Sequence, residues 1–176
     1  MFRDYLRLLA EINGFGPGEW LIEPGMDYGS WRKWWSGSGT RTSEHNGLDL
    51  RIYREASGRD IYLDGRDRVP AGGEGEVINI AKDFLGKSVF VSHGRDESGA
   101  ALVSAYGHIV PEEGIGPGTR LVKGDIIGKL SEYAGMPVPP HLHLSLIRMS
   151  GLKAEKLNWT LLGTSDRVEF LDPASS

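Results

Sequence analysis

The chain has 176 residues, 39% hydrophobic and 25% charged, with no cysteine, which excludes both a disulfide framework and a thiolate metal site. Its formal net charge of -4 comes with no basic block or Arg/Lys stripe, so nucleic-acid binding has no electrostatic support. No run approaches the roughly 18 to 20 apolar residues that span a bilayer, so no transmembrane segment is expected.

The length suits one domain with a real core. The 25 glycines and 9 prolines favour short strands and tight turns over a helical bundle. Phe2, Tyr5, Leu6, Leu9 and Ile12 recur at helical spacing and predict a short amphipathic helix over residues 1–13. Asn13-Gly14 and the Gly16-Pro17-Gly18 turn end it. A charge every few residues leaves no apolar stretch of signal-peptide type, so no export signal is expected in the sequence as written.

Residues 14–44 read as irregular and aromatic-rich, with Trp20, Tyr28, Trp31, Trp34 and Trp35 separated by Gly, Pro and Ser. Residues 1–44 are therefore expected to pack on a main domain formed by residues 45–176. Either Trp34 and Trp35 cover one end of that core, or Trp31, Trp34 and Trp35 offer flat indole faces to a peptide or glycan groove. Strand then follows strand: Leu48 to Tyr53, Glu76 to Ile80, Ser88 to His93, Leu102 to Tyr106, Asp125 to Leu130, and His141 to Ile147 with strict alternation. Residues 53–68 read as a polar hairpin or loop and a candidate groove wall. No βαβ rhythm appears. The predicted fold is mainly β, an antiparallel sheet forming an open barrel or sandwich core with a groove, plus the short N-terminal helix.

Four of the five histidines fall in contexts that fit one metal site: His45 and Asp49 in His45-Asn-Gly-Leu-Asp49, His108 after Tyr106-Gly107, and the pair His141 and His143. Residues i and i+2 of a strand share a face, so His141 and His143 point to one side while Leu142 and Leu144 point to the other. Without cysteine, any ion must be held by His and carboxylate. Zinc takes three or four such donors, and a three-donor site leaves a position for water or substrate. Each piece has a structural alternative, and His93, unpaired with the others, is read as structural or as a support to a ligand.

The segments His45-Asn-Gly-Leu-Asp49, Val69-Pro-Ala-Gly-Gly-Glu-Gly-Glu-Val77, Val89-Phe-Val-Ser-His93-Gly, Tyr106-Gly-His108-Ile, Lys123-Gly-Asp-Ile-Ile-Gly128 and His141-Leu-His143 occur in that order. Together they resemble the peptidoglycan metalloendopeptidases of the lysostaphin and LytM type, over about residues 45–173. The resemblance implies a compact β core with a narrow groove and one Zn2+ ion bound by His45, Asp49 and His143. It implies that His108 and His141 are catalytic histidines outside the ligand set. Tyr106 and Trp34 are candidate substrate contacts.

The implied reaction is zinc-dependent hydrolysis of peptide bonds in bacterial cell-wall peptidoglycan, in the stem or the cross-bridge. That implies a place in the cell envelope or periplasm. The missing export signal keeps open a cytoplasmic zinc peptidase acting on short or glycine-rich peptides. A non-enzymatic module that binds peptide or activates a partner is a further alternative. Residues 131–140 depart from the family pattern, with Pro139-Pro140 leading into the last histidine pair, which bears on substrate preference. Residues 14–44 could also lie across the groove and keep the enzyme latent, with Asn13 or Asp27 filling the open metal position.

Overall fold

The computed structural model describes residues 2–132 and 137–175, with side chains from Asp4 onward. Part of the loop before the last histidine pair, residues 133–136, lies outside the described residues. The chain begins with α1 (Phe2–Ile12), whose apolar stripe buries Tyr5 and Leu9 against the core. Burying a side chain such as Leu9 contributes on the order of 2 kcal/mol.

Next come β1 (Gly18–Leu21), β2 (Leu48–Leu50), β3 (Ile52–Glu55), β4 (Asp60–Tyr62), β5 (Arg68–Pro70) and β6 (Gly75–Lys82). The series continues with β7 (Lys87–Arg95), β8 (Ala101–Pro111), β9 (Arg120–Leu121), β10 (Ile126–Leu130) and β11 (Leu142–Met149). A short helix α2 (Trp159–Thr164) and β12 (Val168–Leu171) follow.

The main sheet is antiparallel and open, in the order β12-β11-β8-β7-β6-β9, with β2 added to β11 and β10 joining β5 and β8. The mainly β, open architecture predicted from alternation and turn residues is the one observed. Two local expectations changed. The run from Leu48 to Tyr53 is two strands broken at Arg51: β2 pairs with β11, whereas β3 joins a three-stranded sheet between β1 and β4. The segment read as irregular therefore supplies a strand, β1, paired with β3 from Gly18 to Leu21.

Strand periodicity divides the main sheet into two faces. Leu142 and Leu144 of β11 join Leu48, Leu50 and Tyr106 in the larger core, beneath α1. The alternate residues His143, Ser145, Ile147 and Met149 face the other way. Ile147 and Met149 lie in a second core with Leu157 and Leu162, so the C-terminal segment covers that half of the face. His143 and Ser145 occupy the remaining half, where the groove lies.

Candidate metal centre

β2 and β11 run side by side with His143 opposite Asp49, which sets two candidate ligands on one face of the sheet. His45 precedes β2 and is fixed by its own main chain: its N–H donates to Ser30 O at 3.0 Å, and its carbonyl accepts from Gly29 N at 2.8 Å. His45 Nε2 stands 3.1 Å from Asp49 Oδ1 and 3.1 Å from His143 Nδ1. His143 Nδ1 is 2.9 Å from the same carboxylate oxygen. All three side chains are buried.

The far side of each ring fixes its tautomer. His45 Nδ1 lies 2.9 Å from the main-chain oxygen of Asp27, which can only accept, so the proton sits on Nδ1 and Nε2 keeps its lone pair. Ser145 Oγ donates to Asn46 O at 2.8 Å, so toward His143 Nε2, 2.9 Å away, it accepts. His143 Nδ1 is thereby the lone-pair nitrogen. Burial pushes the His143 imidazole down to about 4, although the Asp49 carboxylate pulls the other way. Burial alone would raise Asp49, but the neighbouring imidazoles outweigh it and hold the carboxyl well below its usual range.

In the neutral tautomers that these outer bonds select, three acceptors converge within 3.1 Å of one another. Such a set repels itself unless a cation stands between. Donors around a tetrahedral zinc ion lie roughly 3.3 Å apart, so His45, Asp49 and His143 are a three-donor group positioned for one metal ion.

The second carboxylate oxygen is held by residues that sequence reasoning did not assign. Trp34 Nε1 donates to Asp49 Oδ2 at 2.7 Å and Arg41 donates to it at 3.3 Å. Trp34, a candidate substrate contact, thus supports a ligand, and its ring also meets the His141 ring edge-on at 5.0 Å. Tyr106, the other candidate, is absent from the groove: it is 1% exposed in the larger core, and its hydroxyl accepts from Gly72 N at 2.8 Å. Alternation puts it on the face opposite His143. It lines a separate, mostly apolar cavity of about 340 Å³ with Tyr5 and His93. His93 itself bonds Glu74 O and Ser104 Oγ there, away from the metal group.

His108 and His141 are both drawn to the group, their ring centres 4.7 Å apart. His141 Nδ1 donates to Pro139 O at 2.9 Å and leaves Nε2 3.6 Å from Asp49 Oδ1. Burial lowers the His141 imidazole to about 4 against the pull of Asp49. His108, in β8 where its pairing with β7 shifts register between Ile109 and Tyr106, has φ 64° and is the one non-glycine residue with positive φ among those described. An imidazole in that left-handed region costs about 1–2 kcal/mol, so something must hold it there. The Asp83 carboxylate does, accepting from His108 N at 2.9 Å. Asp83 Oδ1 also lies 3.1 Å from His108 Nδ1, with the N–H turned off the hydrogen-bond axis.

A groove of about 660 Å³ opens onto these side chains. Trp35 and residues 41–46 form one wall, Lys82, Asp83 and Phe84 another, and Asn158, Trp159 and Thr160 a third. The 53–68 segment expected to wall it is the β3–β4 hairpin of the smaller sheet and takes no part. Neither side chain proposed to fill the metal position does so. Asn13 bonds Leu9 O and both main-chain groups of Arg68, and the Asp27 carboxylate accepts from Gly25 N. Among the missed residues, only Ser145 carried a signal, being two positions beyond His143 on an alternating strand.

The sequence matches no family model and no curated protein. Among solved structures it is similar to the catalytic domain of the prophage-encoded M23 protein EnpA from Enterococcus faecalis, in a mutant form. That likeness has 18% identity and a TM-score of 0.50, and covers 90% of each chain. It is also similar to lysostaphin in its solution structure, with 18% identity and a TM-score of 0.54, over 97% of this chain and 51% of that one. At these identities the likeness carries the architecture alone: this chain has the β fold of the EnpA catalytic domain and of lysostaphin.

Proposed function

We propose that the protein is a zinc-dependent endopeptidase that hydrolyses peptide bonds of bacterial peptidoglycan, in the stem or the cross-bridge. One observation carries this reading: three lone-pair donors with fixed tautomers converge at the floor of an open groove, with two further imidazoles beside them. His45, Asp49 and His143 would hold the ion. Zinc supplies Lewis acidity there, polarising a carbonyl and making water a stronger acid.

The protein's own groups do the rest. His108 and His141 stand where a proton must leave the attacking water and reach the departing amine. Trp35, Phe84 and Trp159 wall the groove, which suits a thin, extended peptide. The motif order shared with lysostaphin and LytM-type enzymes, together with the shared fold, supports cell-wall peptides as the substrate class. Peptidoglycan lies outside the cytoplasmic membrane, so the reading carries with it a place in the cell envelope, which fractionation of native cells tests.

The central test pairs zinc content with release of new amino groups from purified peptidoglycan. His143→Ala should lose both zinc and hydrolysis, and His108→Ala should keep zinc and lose hydrolysis. A zinc-loaded wild type that binds peptidoglycan without cutting it would replace this reading with the binding or activator module. Cleavage of short free peptides alone would favour the cytoplasmic peptidase.

A further inference from the structure

Asp83 lies outside the metal group and outside every motif of the sequence. It opens the turn between β6 and β7, and its side chain is 1% exposed. Oδ1 accepts from Leu85 N at 2.9 Å and Gly86 N at 2.7 Å, which closes the turn. Oδ2 accepts from Ser88 Oγ at 2.7 Å and from His108 N at 2.9 Å. Ser88 Oγ accepts in turn from Trp159 Nε1 at 2.8 Å, so the network reaches the third wall of the groove.

A turn of this kind needs one acceptor oxygen, which Asn or Ser supplies as well as Asp does. A buried charge is costly and is kept only where donors or a partner hold it. Among the described residues the one ion-pair partner of Asp83 is His108, and no Lys or Arg neutralises it. The carboxylate is therefore in excess of what the turn requires, and its surplus is directed at a groove histidine.

We propose that Asp83 is a positioning residue that makes His108, and not His141, the proton acceptor of the site; this rests on the peptidase reading above. One carboxylate oxygen holds the His108 main chain in its left-handed conformation. The other faces Nδ1 and keeps the ring proton on that nitrogen. Nε2, on the far edge of the ring, is then the lone-pair atom. The His141 ring has the same tautomer, but a neutral carbonyl, Pro139 O, stands behind it. A carboxylate steadies an imidazolium formed by proton uptake, and a carbonyl does so far less. In the transfer itself, His108 Nε2 gains the proton that the attacking water loses as its oxygen bonds to the scissile carbon. The proton passes on to the leaving amine when the C–N bond breaks, so the histidine ends unchanged.

The test uses the full-length, zinc-loaded protein and two readouts. The first is 15N NMR of the histidine rings. Wild-type His108 should show the Nδ1–H tautomer, and Asp83→Ala, which removes the oxygen that faces Nδ1, should shift it toward Nε2–H. The second is steady-state hydrolysis of purified peptidoglycan, where Asp83→Asn should lower kcat about 100-fold or more. KM should stay within about twofold, with zinc content unchanged. A merely structural Asp83 would leave the tautomer of the folded variant as in wild type, and that result would overturn the proposal. If Asp83→Ala does not fold, the wild-type spectrum decides: Nε2–H in wild type also overturns it. A wild type that cuts no peptidoglycan sinks the peptidase reading, yet the tautomer shift would still report whether Asp83 orients His108.

Discussion

The indole Nε1 of Trp34 donates to Asp49 Oδ2 at 2.7 Å, so a residue of the aromatic N-terminal segment holds the back of a metal-site carboxylate. The partners of a ligand orient it and tune its basicity. Trp34→Phe keeps most of the apolar contact and removes the donor. Zinc affinity should fall about 10–100-fold, measured by competition with a chromophoric chelator, with little change in thermal stability of the metal-free protein. Unchanged affinity would show that Arg41 suffices to orient the carboxylate.

The same segment supplies more than one support. Met26 O accepts from Asp49 N at 2.9 Å, and Arg41 reaches Asp49 Oδ2 at 3.3 Å. Deleting residues 1–41 should therefore weaken zinc binding and lower the melting temperature. An autoinhibitory segment would give the opposite outcome, a folded truncation with higher activity.

Gly47 lies between two ligands where the chain passes close to β11. A Cβ there would sit 2.5 Å from Leu144 O, 2.7 Å from Ser145 Oγ and 2.8 Å from His143 Cε1. The first obstacle is main chain and cannot swing aside, so β2 must move off β11. Gly47→Ala should cost about 1–3 kcal/mol of stability in denaturant titration. It should also reduce zinc affinity, because the move separates Asp49 from His143.

Acid should act on the metal-free protein through His141 and His143, both lowered to about 4 chiefly by burial, against about 6.5 in an unfolded chain. Between those values the unfolded chain binds more protons than the folded one, so stability falls as pH falls from 6.5 to 4. The loss should amount to a few kcal/mol in all, read as a melting temperature that drops through this window. A flat profile would mean that the rings are not buried as neutral groups.

Zinc should raise the melting temperature at pH 7.5. Saturation at about 100 times Kd contributes about 2.7 kcal/mol. That increment should shrink in acid, where protons compete with the ion for its ligands. In His143→Ala it should be largely lost at every pH, and calorimetry with and without a chelator checks both points.

The members of the donor group were legible in the sequence because their relationships are local and periodic, while the choice of His143 over His141 came from the family resemblance. His45 and Asp49 are four residues apart, and the alternation of β11 puts His143 and Ser145 on the face opposite Leu142 and Leu144. The strands and turns were legible for the same reason: the pleat has a period of two, and glycine marks the bends. Contacts between distant segments leave no such pattern. Trp34 meets Asp49, and Asp83 meets His108, only because separate loops converge on one end of the sheet.

By itself, then, the sequence determined a β-rich chain without cysteine and a group of histidines with one aspartate fit to hold a metal ion, since composition and short-range periodicity are properties of the chain alone. The tertiary structure decided that Tyr106 belongs to the core and Trp34 to the support of Asp49. It also decided that His45 and His143 aim lone pairs at one point, and that a buried carboxylate stands behind His108. Each of these depends on which groups lie within about 3 Å across the fold, because hydrogen bonding and burial act at that range, and sequence separation does not encode it.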